Sequence, residues 1–286
     1  MVDARKIDLH MHTTVSDGTD TPQQILTCAK DAGLSLFAVT DHDAIKAGRI
    51  IRELLADGDP RFLTGVEFSC RDGEGKYHIL GYHYDPDAES INRVVETGHN
   101  LRMKKVETRI QFLISEFHME FPEEEVAEIL AMDNPGKPHI ANMMIRHGYA
   151  ESRDRAIKEY INKLHVKADY LLPEEAIRCI LGAGGIPVLA HPAFGSGDEL
   201  IIGDEMEQRL LRLLDYGLQG IEAFYSGFTP KLRTGLLNLA EKHHLYVTAG
   251  SDYHGKTKLV RIGDTGLSDA DTLPDGLYRF LEAIAQ

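Results

Sequence analysis

The stretch IDLHMHTTVSDG, Ile7 to Gly18, sets two histidines two residues apart directly after an apolar run, with an aspartate five residues further on. In an extended strand, residues i and i+2 share a face. His10 and His12 therefore aim two imidazoles at one point while Leu9 and Met11 face the other way. Two neutral imidazoles converging on one point form the donor set of a divalent metal; two solvent-facing histidines at a strand end are the alternative on this stretch alone. The same residue types recur where later apolar runs end. Asp41, His42 and Asp43 follow FAVT, and Glu67 follows FLTGV. His78 and His83 lie in YHILGYHY, His191 follows IPVLA, Glu222 sits in GIEAFY, and Asp252 and His254 follow LYVTAG. A random scatter of 14 histidines would not select these places. Jointly they describe a metal-lined mouth.

The elements that must position them alternate. KIDLH predicts a short strand, and TPQQILTCAKDAG a helix capped by Thr21, with Pro22 at its first position and Gly33 as its stop. Further strands are predicted at LSLFAVTD, RFLTGVEFS, YHILGYHY, IPVLAHP, LQGIEAFY and LYVTAG, and further helices at AIKAGRIIRELLADG, PEEAIRCILGAGG, EQRLLRLLDYG, PKLRTGLLNLAEKHH and DGLYRFLEAIA. Six or seven short strands separated by helices favour an α/β fold with a parallel barrel over an open sheet. In such barrels, chemistry gathers at the C-terminal strand ends. From residue 98 to about 165 no strand is predicted and helical periods dominate. A helical insertion, 98–165, therefore divides a barrel made of 1–97 and 166–286.

The composition narrows the classes. A hydrophobic content of 43% in 286 residues suffices for a large core. No apolar run approaches membrane-spanning length, and the N-terminus lacks a secretory pattern, so a cytoplasmic protein is expected. Cys28, Cys70 and Cys179 are too widely spaced for a thiolate site and are expected as free thiols. With 31 basic against 45 acidic residues the net charge is −14, a poor match for long nucleic acid. A small anion can still bind where metal ions supply local positive charge.

The strings DLHMHTTVSDG, VTDHD, GVEFS, HILGY, LAHPA and GSDYHG resemble, in order, the motifs of the PHP (polymerase and histidinol phosphatase) family. The match covers roughly residues 5–97 and 166–260. The resemblance implies a distorted (β/α)7 barrel that holds two or three divalent metals and hydrolyses phosphate esters. It implies a first metal on His10, His12, Asp252 and a bridging Glu67; a second on Glu67, His78 and His191; and a third on Asp17, His42 and His254. Asp17 stands where other members often have a third His. Imidazoles and carboxylates without thiolate suit Mn²⁺, Fe²⁺ or Zn²⁺. A hydroxide bridging two metals is the expected nucleophile, with His254 or a metal-bound water protonating the leaving group. Asp41 and Asp43 are read as orienters of imidazoles, with capping of the next helix as the alternative for Asp43. Glu222 and His83 lie on the rim but are not counted as ligands. His118, His139, His147, His165, His243 and His244 are expected at the surface or in packing.

The insertion resembles a lid in the family branch that acts on nucleotides, removing phosphate from 3′,5′-nucleoside bisphosphates or trimming short RNA. Within GKPHIA, Lys137 matches a basic residue that faces the substrate, and Arg102 and Arg109 on the lid's first helix are further candidates. After the AHP motif this branch usually carries a basic residue. Here Ala193, Phe194 and Gly195 follow, which leaves room for a monophosphate or cyclic phosphodiester and offers Phe194 for stacking or packing. Tyr225 and Ser226 are further substrate candidates. The expected partner is thus a small phosphorylated substrate of nucleotide type. A histidinol-phosphate-type phosphatase, an amidohydrolase-type C–N hydrolase and a non-catalytic nucleotide sensor are the rivals; the Asp17, His42 and His254 set argues against the second.

Overall fold

The computed structural model describes residues 2–164, 170–194, 200–268 and 272–285. His165, the expected return to the barrel at 165/166, and Gly195 lie outside the described residues. The strands are β1 (Ile7–Asp8), β2 (Leu36–Val39), β3 (Arg61–Arg71), β4 (Lys76–Tyr82), β5 (Ile186–Leu189), β6 (Gly220–Tyr225) and β7 (Tyr246–Gly250). They form one sheet in sequence order. Helix α1 (Pro22–Asp31) follows β1 and α2 (Lys46–Leu54) follows β2. The second half adds α7 (Pro173–Gly182), α8 (Gly203–Asp215), α9 (Pro230–Lys242) and α10 (Asp275–Ala283), after the insertion helices α3 (Glu89–Phe117), α4 (Glu123–Leu130), α5 (Lys137–Arg146) and α6 (Arg153–Arg155).

The barrel is not wholly parallel. β4 runs antiparallel to both β3 and β5, while the other neighbours are parallel. The cause is the short RDGEGK turn: four residues separate β3 from β4, and the Asp72 carboxylate accepts the Glu74 and Gly75 N–H groups. A parallel return needs a crossover of about a dozen residues or more. Beyond the short β1, the chain stays extended and closes on β7. Leu9 N–H donates to Ala249 O (3.0 Å), and Asp252 N–H donates to His10 O (2.8 Å). The seven strands are thereby nearly closed into a barrel.

β2, β5 and most of β6 are buried on both faces, as expected of strands covered by helices. Each fully buried Leu, Ile or Phe of this core contributes about 1.5–3 kcal/mol. Thr21 and Gln24 form a reciprocal cap on α1, and Gly33 beyond its end has φ +66°, a conformation that L side chains rarely adopt. The three cysteines are free. Among the described residues, no helix is long and apolar enough to cross a membrane.

Helix α3 begins at Glu89, nine residues before the start expected for the insertion. Its early apolar residues Ile91 and Val94 belong to the barrel core. Its later ones, Val106, Ile110 and Leu113, join Met119, Ile129, Ile140 and Met144 in a second core. Gly98 marks the crossing, where a Cβ would stand 3.1 Å from Asp43. The second core meets the barrel through polar contacts: Lys46 pairs with Asp133 (2.7 Å), and the buried Asn134 amide donates to the His42 carbonyl.

Candidate metal centre

All nine residues singled out as ligands meet at one barrel mouth. Glu67, inside β3, is the hub. Its Oε1 lies 3.4 Å from His10 Nε2, 2.9 Å from His78 Nδ1 and 3.2 Å from His191 Nε2. Its Oε2 lies 3.2 Å from His12 Nε2 and 3.0 Å from His42 Nδ1. Asp17 Oδ1 lies 3.3 Å from His254 Nε2 and 3.8 Å from His12 Nδ1, and Asp252 Oδ1 is 3.5 Å from His10 and 3.4 Å from His12. The donor atoms fall into four overlapping groups: His12, Asp17, His42 and His254; His10, His12 and Glu67; His10, His191 and Asp252; and His42, Glu67 and His78. The sharing is wider than the three-way division implied by the motifs. His12 joins the Asp17 group, and His191 groups with His10 and Asp252 while remaining beside Glu67.

The side chains are aimed by a shell of buried hydrogen bonds. His10 Nδ1–H donates to Glu222 Oε1 (2.9 Å), and the other Glu222 oxygen accepts the His191 N–H (2.8 Å). That bond places the proton on Nδ1 and turns the Nε2 lone pair of His10 toward Glu67 and Asp252. His254 Nδ1–H donates to the Asp252 carbonyl (2.9 Å), leaving Nε2 toward Asp17. Tyr225 O–H donates to Asp252 Oδ2 (3.0 Å), and Lys258 Nζ bonds the same oxygen. His191 (φ 26°) and Asp252 (φ 55°) hold left-handed backbone conformations rare outside glycine. Such strain clusters where surrounding structure over-determines a functional position.

Glu222 was left out of the ligand set, and its role is to hold His10. The signal was available: an acid in the middle of the apolar strand GIEAFY must find a buried partner. Asp41 and Asp43 act differently from the expectation. Asp41 accepts Thr13 N–H (2.8 Å), Thr13 O–H (2.7 Å) and Ser16 O–H (2.6 Å), and so fixes the loop that carries Asp17. Asp43 accepts Ser69 N–H and two bonds from Arg102. Neither is hydrogen-bonded to an imidazole among the described residues. Asp43 does not cap α2, whose N-cap is Ile45 without a side-chain bond.

The donor set fits divalent cations. His10 Nε2, His12 Nε2, His42 Nδ1 and Glu67 Oε2 are buried without a hydrogen-bond partner. Each unmatched buried group costs about 1–3 kcal/mol, yet these four crowd together, close in distance but not aligned as hydrogen bonds. Lone pairs converging on a shared cation account for that arrangement. Burial by itself would raise the Glu67 carboxyl, but His78, His10 and His42 outweigh it and hold it well below the usual range. Burial likewise opposes ionisation of Asp17 and Asp252, and is overcome by His254 and His42 for the first and by Lys258, His10 and His254 for the second. Against burial, the neighbouring carboxylates of Asp252, Glu67 and Asp17 push His12 up to about 9. Three carboxylates thus stay ionised inside the barrel.

A PHP domain model matches residues 8–171. This chain belongs to the PHP family. It is 30% identical over 257 residues to a phosphoribosyl 1,2-cyclic phosphate 1,2-diphosphodiesterase of Eggerthella lenta, covering 87% of this chain and 94% of that one. It is 28% identical to a 5′-3′ exoribonuclease of Haemophilus influenzae, covering 91% and 93%. A 3′,5′-nucleoside bisphosphate phosphatase of Chromobacterium violaceum is also 28% identical, covering 97% and 96%. A solved structure from Bifidobacterium adolescentis, assigned as a metal-dependent phosphoesterase, superposes with a TM-score of 0.81 at 28% identity, covering 99% and 98%. The PHP chain described here is a hydrolase of phosphoric ester bonds with clusters able to bind metal.

The PHP centre opens into a cavity of about 410 Å³, with Phe194, Tyr225, Ile157, Arg153 and Lys258 on its walls. Two substrate candidates, Phe194 and Tyr225, thus face the same space as seven of the nine, Asp17, His42, Glu67, His78, His191, Asp252 and His254. Two others are engaged elsewhere. The Arg102 guanidinium is held by Asp43 and Ser69 Oγ, and Lys137 Nζ donates to Asn162 Oδ1 (2.7 Å). Ser226 O–H is spent on the Ser251 carbonyl. Away from the centre, His147 pairs with Glu125 and His243 with Glu207; His139 accepts the Gly136 N–H.

Glu222→Gln is expected to cut metal affinity or kcat/KM about 10–100-fold, the usual effect of losing the partner of a ligating imidazole. The amide can face only one of its two N–H partners with an oxygen and turns a donor toward the other. Metal titration and phosphate-release kinetics check this; wild-type values would remove Glu222 from the positioning of His10.

Proposed function

We propose that this PHP centre hydrolyses phosphate esters of a small nucleotide, using two or three divalent cations held by His10, His12, Asp17, His42, Glu67, His78, His191, Asp252 and His254. The observation that carries the reading is the cavity of about 410 Å³ lined by seven of these donors, from Asp17 to His254, and walled by the aromatic rings of Phe194 and Tyr225. Bound there, the cations would supply charge against the phosphate oxygens and lower the pKa of a water toward neutrality. The protein's part is orientation. Glu222 fixes the tautomer of His10, Tyr225 and Lys258 fix Asp252, and Asp41 fixes the Asp17 loop. Phe194 stands 6.1 Å from Tyr225 and 5.3 Å from Phe228, centroid to centroid, a packed aromatic wall against which a base can stack.

His254 bears on proton transfer. In the tautomer selected by its bond to the Asp252 carbonyl, the neutral ring presents a lone pair at Nε2, which suits cation binding. To protonate a leaving group it would have to be an imidazolium, and Asp17, 3.3 Å from Nε2, is the group that would hold that charge. The names of the relatives span cyclic phosphate, bisphosphate and RNA, which supports a nucleotide-related ester and leaves its form to experiment. The test is elemental analysis followed by phosphate release from histidinol phosphate, nucleoside monophosphates, 3′,5′-bisphosphates, 2′,3′-cyclic phosphates and short 5′-phosphorylated RNA. Two or three metals per chain and a nucleotide as best substrate are expected. Histidinol phosphate as best substrate would overturn the nucleotide assignment.

A further inference from the structure

Two of the candidate ligands are aimed by a hydrogen bond to the ring, His10 by Glu222 and His254 by the Asp252 carbonyl. His42 has no such support. Glu67 Oε2 stands 3.0 Å from its Nδ1 but out of line for a hydrogen bond, and that nitrogen is buried without a partner. Yet His42 enters two of the four donor groups, one with His12, Asp17 and His254 and one with Glu67 and His78. Its aim therefore rests on its backbone. The peptide plane between His42 and Asp43 is gripped at both poles: the Asp43 N–H donates to Glu67 O in β3 (2.9 Å), and the Asn134 amide donates to the His42 carbonyl. Asn134 is buried in the turn between α4 and α5 of the insertion. Asp43 is left-handed at φ 50°, a conformation rare outside glycine. Its Oδ1 accepts the Ser69 N–H (3.0 Å), and its Oδ2 accepts two bonds from Arg102 (3.0 and 2.8 Å).

Arg102 lies on α3 beyond Gly98, where the helix has left the barrel, so both outer grips on the His42 turn come from the insertion. A left-handed Asp43 persists only where its surroundings over-determine it, and a buried carbonyl resists the loss of its donor. Releasing either grip lets the turn relax and carries His42 with it, whereas a metal ligand must be held within about 0.5 Å of its productive place. The His10, His191 and Asp252 group is held differently, by Glu222, Tyr225 and Lys258, all of them barrel residues. We propose that Asn134 and Arg102 are positioning residues of the metal centre: docked on the barrel, the insertion sets His42, and the cation that His42 helps to hold binds with full affinity only in that state. The inference rests on the metal-dependent reading of the centre and deepens it, because it makes one cation answer to the insertion while the others answer to the barrel.

The experiment measures Mn²⁺ binding by equilibrium dialysis, with phosphate release from p-nitrophenyl phosphate alongside, for the full chain and the variants Asn134→Leu and Arg102→Gln. Leucine keeps much of the shape of the amide without its donor, and glutamine at 102 cannot form the two-pronged bond to Asp43. In each variant one ion per chain is expected to bind about tenfold or more weakly, the usual effect of losing the partner behind a ligand, while the rest keep wild-type affinity. Raising free Mn²⁺ by the same factor is expected to restore kcat, which a general loss of folding would not allow. Arg102→Gln reads the same turn independently where Asn134→Leu disturbs the packing of the insertion. Lys46→Ala removes only the exposed pair with Asp133, a contact of small worth, and is expected to leave the binding curve unchanged. Wild-type binding in both variants, equal weakening of every ion, or the same single loss in Lys46→Ala overturns the proposal and leaves the phosphoesterase reading standing. A wild-type chain that binds no Mn²⁺ and hydrolyses no phosphate ester overturns both.

Discussion

Glu67→Gln is expected to lower kcat/KM for every phosphate ester about a thousandfold or more, equivalent to about 4 kcal/mol of transition-state stabilisation, and to strip metal from the centre. The reason is the number of partners that one carboxylate serves. Its two oxygens stand within 3.4 Å of His10, His12, His42, His78 and His191. An amide keeps one oxygen, places an NH2 among nitrogen lone pairs, and removes the negative charge that a cation needs. Elemental analysis and phosphate release on the same preparation check the prediction. His244→Asn serves as control, because His244 is exposed, remote from the ligand groups, and left-handed at φ 53°, a conformation that Asn tolerates. A Glu67→Gln protein that keeps metal and a tenth of wild-type activity would break the assignment of Glu67 as the shared ligand.

Gly250→Ala is expected to damage fold and centre together. The added Cβ would stand 2.2 Å from the His10 Cβ and 2.4 Å from Glu222 Oε1. His10 cannot yield by a rotamer change, since its Cβ is fixed by backbone, and that backbone closes the sheet through the bond from Asp252 N–H. Opening this seam moves His10 off Glu222 and parts the strand end bearing Asp252 from the one bearing His10. Overpacking of this kind costs about 1–3 kcal/mol, here concentrated on the barrel's closing contact. A lower denaturant midpoint and a loss of metal stoichiometry are the expected readouts; a variant with wild-type midpoint and full metal content would show that the seam can relax.

Much of this protein follows from its sequence alone. The HxH spacing puts His10 and His12 on one side of an extended chain because strand periodicity is two, and their rings lie 5.3 Å apart. Thr21, Pro22 and Gly33 delimit α1 because capping and left-handed backbone are local chemistry. The β4 reversal was missed by the expectation of a parallel barrel, although its signal lies in RDGEGK, where four residues cannot carry a parallel crossover. Tertiary structure decided the rest, since sheet closure sets distances between residues far apart in the chain. Glu222 reaches His10 across 212 positions, Arg102 turns to Asp43 across 59, and the two apolar cores of α3 separate only where the helix leaves the barrel. Spacing determines which side a residue faces; the closing of the barrel determines what it meets there.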